Sequence, residues 1–429
     1  SRSVKCKYEQ NLCWKSSKKI IMSFEFPIKT KTACQYKWTW STVFLSTGTS
    51  SSCHRCKGWD VSDMMEDFHN HPGKISDREK MLKGEWPGNG CEYCKKIEQA
   101  GGISERTGFI NRSDLVPPEI EKVKLGPYPT KVTPRILEVY FNNLCNQKCV
   151  YCSPYFSSLI QHEVEKYGPL SDEYHLDGFE QKPGYEERKE KFWQWMEKYS
   201  QNLYQFHILG GEPMYIPEFE ETLEFFKTKK HSNMNFKIFS NLKHPTDKFK
   251  KKIGLIQDFV DSGYLKSFQV VCSIDNWGPQ AEFARHGMKL DQWEANFNHL
   301  LYETDTILNI HSTISPVTLT TMADFYRKVN EWSKVKEIEY GWNTIAHPTF
   351  MAPEILGHHA GKYFDELLEV VPDKADWHEV LNGFKTQVVT HKVDYERIKK
   401  LTDYLDNIDK RRDTDWKSLY PYLNEIKTV

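Results

Sequence analysis

The chain has 429 residues, with 58 Lys plus Arg against 59 Asp plus Glu and a formal net charge of −1. Hydrophobic residues make up 39% and charged residues 27%, and the mean hydropathy is −0.66, which excludes a disordered or collagen-like chain. No apolar run approaches the ~18–20 residues that cross a bilayer, and the balanced charge gives no reason to expect phosphate backbones or anionic lipid, so neither a membrane nor nucleic acid is an expected partner.

Residues 1–29 read as a solvated basic tail. Ser1 to Ile21 carries six Lys or Arg against one Glu. Its apolar cluster, Ile20-Ile21-Met22, is shorter than the ~7–15 residues of a secretory core, so no export signal is expected and the cytoplasm is the expected compartment. Met22 is the expected natural start. Eleven cysteines in such a chain are hard to explain as disulfides, and metal is the better explanation. Cys6 and Cys13 lie in the tail and have no identifiable partners.

Residues 30–116 have few long helical patterns and many Gly, Ser, Trp and Cys, which suits a small α+β domain pinned by metal. A β-hairpin is predicted from Tyr36 to Leu45 and Ser50 to Cys53, across the turn Ser46-Thr47-Gly48-Thr49. Two pairs, Cys53-His54-Arg55-Cys56 and Cys91-Glu92-Tyr93-Cys94, taken bare read as structural zinc, although their separation exceeds the ~15–20 residues of a zinc ribbon. His54, His69 and His71 are candidates for an extra ligand or a substrate contact. Residues 117–134, with Pro117-Pro118, Gly126-Pro127-Tyr128-Pro129 and Thr133-Pro134, read as a linker.

From 135 to 350 short β-rich runs alternate with amphipathic segments, the pattern of βα units around a parallel sheet. Strands are predicted at Arg135 to Phe141, Gln205 to Gly210, Asn235 to Ser240, Ser267 to Ile274, Ile307 to Thr313 and Glu337 to Trp342. Helices are predicted at Glu186 to Tyr199, Pro217 to Lys229, Thr246 to Val260, Leu290 to Tyr302 and Met322 to Trp332, from apolar residues three and four apart. Tyr167 to Tyr185 reads as an inserted loop or lid. Six units are too few for a closed eight-stranded barrel, so an α/β fold with either an open doubly wound sheet or a partial barrel is expected. In both, function gathers at the carboxyl ends of the strands. Tyr340, Trp342, Asn343 and the loop from Thr344 to Met351 are candidates to line that cavity, although aromatic residues in such strands more often belong to the core. Residues 351–429 read as a helical extension, with Leu401, Tyr404 and Leu405 on one helix face and Trp416, Leu419 and Tyr420 beyond, packed on the outside.

Immediately after the first of these strands comes Cys145-Asn146-Gln147-Lys148-Cys149-Val150-Tyr151-Cys152. Three thiolates on one loop can hold three irons of a cubane and leave the fourth open, whereas a closed zinc site wants four ligands. A zinc knuckle with a recruited fourth ligand is the competing reading. At the end of the second strand stands Gly210-Gly211-Glu212-Pro213, where glycines permit close backbone approach to a ligand and Glu212 can accept hydrogen bonds from an amine. An ordinary turn is the alternative. Ser240-Asn241 closes the third strand, with a helix N-cap as the rival reading. Cys272-Ser273-Ile274-Asp275 closes the fourth strand, with Arg285 downstream; Cys272 reads as a small core residue.

This combination resembles the radical S-adenosylmethionine (radical SAM) superfamily. The resemblance implies a partial (β/α)6 barrel in which Cys145, Cys149 and Cys152 ligate a [4Fe-4S] cluster whose open iron is chelated by S-adenosylmethionine. It implies cofactor contacts from Tyr151, from Gly210, Gly211, Glu212 and Pro213, from Ser240 and Asn241, and from Ser273 and Arg285. Asp275 would face substrate. The spacing of Cys34, Cys53, Cys91 and Cys94 resembles the twitch domain, which binds an auxiliary [4Fe-4S] cluster, with Cys56 as the spare; here the module precedes the barrel instead of following it. The resemblance implies an oxidoreductase or maturase served by a low-potential electron donor such as flavodoxin or ferredoxin. A peptide, modified by oxidation or cross-linking, is the leading substrate, with a small molecule as the rival. A zinc-bearing, non-catalytic binding protein is the reading from a different class.

Overall fold

The computed structural model describes residues 26–101, 104–109, 112–173 and 181–427. The tail residues 1–25, with Cys6, Cys13 and Met22, and part of the predicted lid, 174–180, lie outside the described residues.

The molecule is a mixed α/β structure around one large, mostly parallel sheet. In chain order the strands are β1 (Trp40–Phe44), β2 (Thr49–Ser51), β3 (Trp59–Asp60), β4 (Ile136–Tyr140), β5 (Lys148–Cys149), β6 (Gln205–Leu209), β7 (His231–Ser240), β8 (Leu265–Ser273), β9 (Arg285–His286), β10 (Ile307–Ile314) and β11 (Ile338–Thr344). Nine of them form the sheet, in the order β11-β10-β8-β7-β6-β4-β1-β2-β3, and β5 pairs with β9 in a separate two-stranded piece. All six strands expected between 135 and 350 are present and mutually parallel. The intervening helices, Tyr185–Tyr199, Pro217–Thr228, Thr246–Asp261, Leu290–Glu303 and Met322–Ser333, fall where apolar periodicity puts them.

The two sheet faces differ. Phe206, Ile208, Phe236, Ile238, Val270, Leu308 and Ile310 are buried in the core that packs under the helices. On the opposite face, the register aligns Glu138, His207, Lys237 and Gln269 in one row. Because side chains alternate along a strand, Tyr340 and Trp342 belong to the buried face: Tyr340 stacks on Trp377 at 4.2 Å and its hydroxyl reaches Ser333 and Asn330. They therefore take the core reading of the two open to them, whereas Asn343, on the other face, meets His311.

The N-terminal region departs from the expected layout. The first half of the predicted hairpin is a helical turn, Gln35–Thr39, and β1 begins only at Trp40. β1 then pairs in parallel with β4 over five residues, from Trp40 opposite Ile136 to Phe44 opposite Tyr140, so residues 30–116 and 135–350 share one sheet. The Pro-rich stretch between them is packed: Val116, Ile120 and Val132 are buried with Trp38, and Arg78 donates to the Thr130 carbonyl at 2.6 Å. A second, smaller core of Phe26, Ile28, Trp38, Met81 and these residues surrounds the N-terminal cysteines. The C-terminal segment is helical, chiefly Gly361–Val370, Ala375–Val389 and Tyr395–Arg412, with Leu401, Tyr404, Leu405, Trp416 and Tyr420 buried. Among the described residues no helix is long and apolar enough to cross a membrane.

Candidate active site

The three-cysteine loop leaves β4 at the carboxyl end of the sheet and is fixed from several sides. Asn143 donates to Pro154 O and Gln161 Oε1, both at 2.9 Å, and Cys145 N donates to Ser158 Oγ at 3.2 Å. Cys149 lies in β5, opposite Arg285 of β9, and Val150 N donates to Ala284 O at 2.8 Å. None of the nine described cysteines is in a disulfide. Burial pushes the Cys145 thiol up to about 12 and raises Cys149 and Cys152 as well, and the three act on one another as neighbouring charges. They are thus held as neutral thiols that a cationic centre would convert to ligands. Among the described residues no group of three or more His, Cys, Asp or Glu side chains is arranged to hold a single metal ion. A cubane, in which each thiolate bonds a separate iron, asks instead for neighbouring thiols on one loop, and this donor set fits that requirement.

The Gly-Gly-Glu-Pro turn docks on the base of that loop. Gly210 has φ +81° and Gly211 φ +49°; a Cβ on Gly211 would lie 2.2 Å from Leu144 O, and one on Gly210 2.6 Å from Tyr140 Cδ1. Only glycine allows this approach, and it lets Glu212 N donate to Leu144 O at 2.9 Å. Glu212 itself is buried, with its oxygens turned inward. Oε1 accepts from Ser240 Oγ at 2.8 Å and contacts His244 Nε2 at 3.3 Å, while Oε2 accepts from Asn241 N at 2.7 Å. Pro213 opens a short 3-10 turn, Pro213–Tyr215, capped by Glu212. Ser240 and Asn241 are not a helix N-cap, since the next helix begins at Thr246 behind Pro245. Asn241 instead donates to Asn146 Oδ1 at 2.9 Å, and Lys243 Nζ donates to Asn146 O at 2.8 Å, so the end of β7 also grips the cysteine loop.

Tyr151, Asp275 and Arg285 come together in one buried cluster. Arg285 donates through two nitrogens to the two oxygens of Asp275, each at 2.9 Å; Tyr151 Oη donates to Asp275 Oδ2 and Thr313 N to Oδ1 at 2.8 Å. The Arg285 guanidinium also lies 5.6 Å from the centre of the Tyr151 ring. Two donors on each oxygen leave Asp275 facing these partners instead of open space, which corrects its expected role toward substrate. The paired charges raise Arg285 against the opposing effect of burial. Ser273 ends β8, opposite His311 of β10.

Sequence reasoning missed a further support. Tyr404 Oη donates to Val150 O at 2.6 Å, and Arg412 NH1 donates to Lys148 O at 2.8 Å while its Nε reaches Glu163 at 3.1 and 3.2 Å. The C-terminal helix thus holds the cysteine loop by its carbonyls. Burial tends to raise Glu163, but Arg412 and Lys148 hold its carboxyl below the ordinary value of 4.5.

The N-terminal cysteines converge. Cys34, Cys53, Cys56, Cys91 and Cys94 line one cleft with Lys37 and Arg106. Cys56, set aside as a spare, lies inside the group: its Sγ accepts from Cys53 Sγ at 3.4 Å and from Lys37 Nζ at 3.2 Å. Lys37 also pairs with buried Asp77 at 2.7 Å. Hydrogen bonds from Cys53 and Cys91, aided by Lys37, lower the Cys56 thiol, and burial raises Cys34 to about 12. Of the nearby histidines, His54 Nε2 reaches Glu138 Oε2 at 3.4 Å across the sheet boundary. His69 is buried against Ser41 and the Trp38 carbonyl, and His71 caps the helix Pro72–Leu82 by accepting from Gly73 N at 3.0 Å.

No protein-family description and no curated protein matches the chain. Among solved structures it is similar to native anSMEcpe with bound AdoMet and the Kp18Cys peptide, at 18% identity and a TM-score of 0.34, over 58% of this chain. The chain spans 62% of that protein's length.

Proposed function

We propose that the chain is a radical SAM enzyme that reductively cleaves S-adenosylmethionine and abstracts hydrogen from a peptide substrate, on a partial (β/α)6 barrel. The observation that carries this reading is three neighbouring thiols, Cys145, Cys149 and Cys152, on one loop at the carboxyl end of the sheet, gripped by the turn at Gly211 and by Asn241. Cys145, Cys149 and Cys152 would hold a [4Fe-4S] cluster, which with S-adenosylmethionine would supply one-electron reductive cleavage of the sulfonium to methionine and a hydrogen-abstracting 5′-deoxyadenosyl radical.

The protein's own part is positioning. Gly210 and Gly211 keep side chains away from the loop, and Glu212 fixes the Ser240-Asn241 backbone that would frame the methionine end of the cofactor. Tyr151, held by Asp275 beside Arg285, would flank the adenine, and Ser273 would lie near the ribose. The electron would come from a flavodoxin or ferredoxin in the cytoplasm.

In the N-terminal cleft, Cys34, Cys53, Cys91 and Cys94 would hold an auxiliary [4Fe-4S] cluster. Anaerobic reconstitution with iron, sulfide, dithionite and cofactor tests the proposal. Equal amounts of 5′-deoxyadenosine and methionine are expected, and Cys145→Ala, Cys149→Ala and Cys152→Ala should abolish both. A preparation that binds zinc alone and forms no deoxyadenosine overturns it.

A further inference from the structure

Parallel sheets are ordinarily covered by apolar layers on both faces. The face opposite the helices breaks that rule. In β7 the buried Phe236 and Ile238 alternate with half-exposed Asn235, Lys237 and Phe239. Lys237 stands in the middle of the sheet, with His207 beside it on β6 and Gln269 on β8. Its Nζ lies 5.3 Å from the centre of the Phe239 ring and, among the described residues, has no hydrogen-bond or ion-pair partner. Burial pulls this amine down, with Glu339 and Glu138 acting in the opposite direction from farther off. This half-exposed ammonium is left without a protein counter-ion, and an anion that displaces water from it would pair with it.

A second residue on the same face is also incomplete. Asn309 of β10 is buried; its Nδ2 donates to Glu339 Oε2 at 3.4 Å, and its Oδ1 has no partner among the described residues. Register puts Asn309 two strands from Lys237 and two residues further along, about 12 Å at ordinary sheet spacings. One position asks for an anion, the other for an N–H donor.

We propose, resting on the function above, that this face is the substrate bed and selects a peptide carrying a carboxylate, with Lys237 as its counter-ion and Asn309 Oδ1 accepting from a peptide N–H. Glu138 and Glu339 on the same wall disfavour a doubly charged phosphate and leave a single carboxylate as the better match. Lys237 is three residues below Ser240 at the strand end, roughly 10 Å along the strand. The carboxylate therefore sits deep, with the reacting part of the peptide nearer the cysteine loop.

The test uses the full chain, reconstituted anaerobically with cofactor, and calorimetric titration with three N-acetylated tripeptides, the first two also amidated at the C-terminus. One has a central glutamate, one glutamine at that place, and one no side-chain acid but a free C-terminal carboxylate. At least one acidic probe should bind about tenfold more tightly than the glutamine peptide, a difference of ~1.4 kcal/mol. Which acid wins tells a side chain from a chain end. Lys237→Met should erase the preference and Lys237→Arg retain it. Equal binding of both acids and the amide, no binding of any probe, or a preference that survives Lys237→Met overturns the inference. The three probes together decide on the unaltered protein even if a variant does not fold. Deoxyadenosine is measured on the same samples. Acid preference without it leaves the carboxylate site standing and removes the radical reading; deoxyadenosine without acid preference does the reverse.

Discussion

The chain has two cysteine-bearing regions, built on opposite principles. In the loop after β4, all three thiols are raised by burial, and support comes from elsewhere: Leu144 O, Asn146, Lys148 O and Val150 O are all held by other elements. In the N-terminal cleft the cation is built in, since Lys37 donates directly to Cys56. The first arrangement fixes the backbone and keeps its nearest cation, Arg285, paired with Asp275 instead of with a thiol. The second supplies charge beforehand and suits a centre that stays in place. On the proposed function the loop admits and releases a cofactor, a task that asks for rigid positioning of this kind.

The strongest way to break the comparison is Arg285→Leu, which leaves Asp275 buried without its counter-ion. The expected loss is about 3–5 kcal/mol, read by urea unfolding; on the proposed function it comes with loss of iron and sulfide from the loop and retention of metal in the N-terminal cleft. Loss of metal from both regions would show that they are not separable. Lys37→Met is the mirror experiment. It strands Asp77 and removes the Cys56 contact, and should cost about 3 kcal/mol and empty the N-terminal cleft while leaving deoxyadenosine formation in place.

The smallest effect is a pH dependence of the loop's clamp. Glu163 has a depressed pKa in the folded chain, so its contribution is present above the ordinary value of 4.5 and disappears as pH falls below it. Stability measured by urea unfolding should drop by about 1 kcal/mol as pH falls through that window. Glu163→Gln should flatten this slope; an unchanged slope would remove Glu163 from the clamp.

Much of this was legible in the residues. Short β-rich runs place the six parallel strands, and 3.6-residue periodicity places the helices between them, because each helix carries its own apolar face. The cysteine loop and the Gly-Gly turn announce themselves by spacing and by the conformations that only glycine takes. The pairing of β1 with β4 was not legible, since its partners lie 96 residues apart, as Trp40 and Ile136 do, and no local pattern encodes parallel register. Nor was the clamp from Tyr404 and Arg412, because the groups they hold are main-chain carbonyls, which look the same at every position. Asp275 was read as open to substrate because a strand-end carboxylate looks the same whether or not an arginine folds back on it.

The union of β1 with β4 also decides how the chain can be divided. A fragment starting at the Pro-rich stretch would expose β4 along its whole length, presenting unpaired N–H and C=O groups as a template for another copy. The cysteine-rich N-terminal part therefore shields a sticky margin of the central sheet, and its removal should yield clumping material before any question of lost chemistry arises.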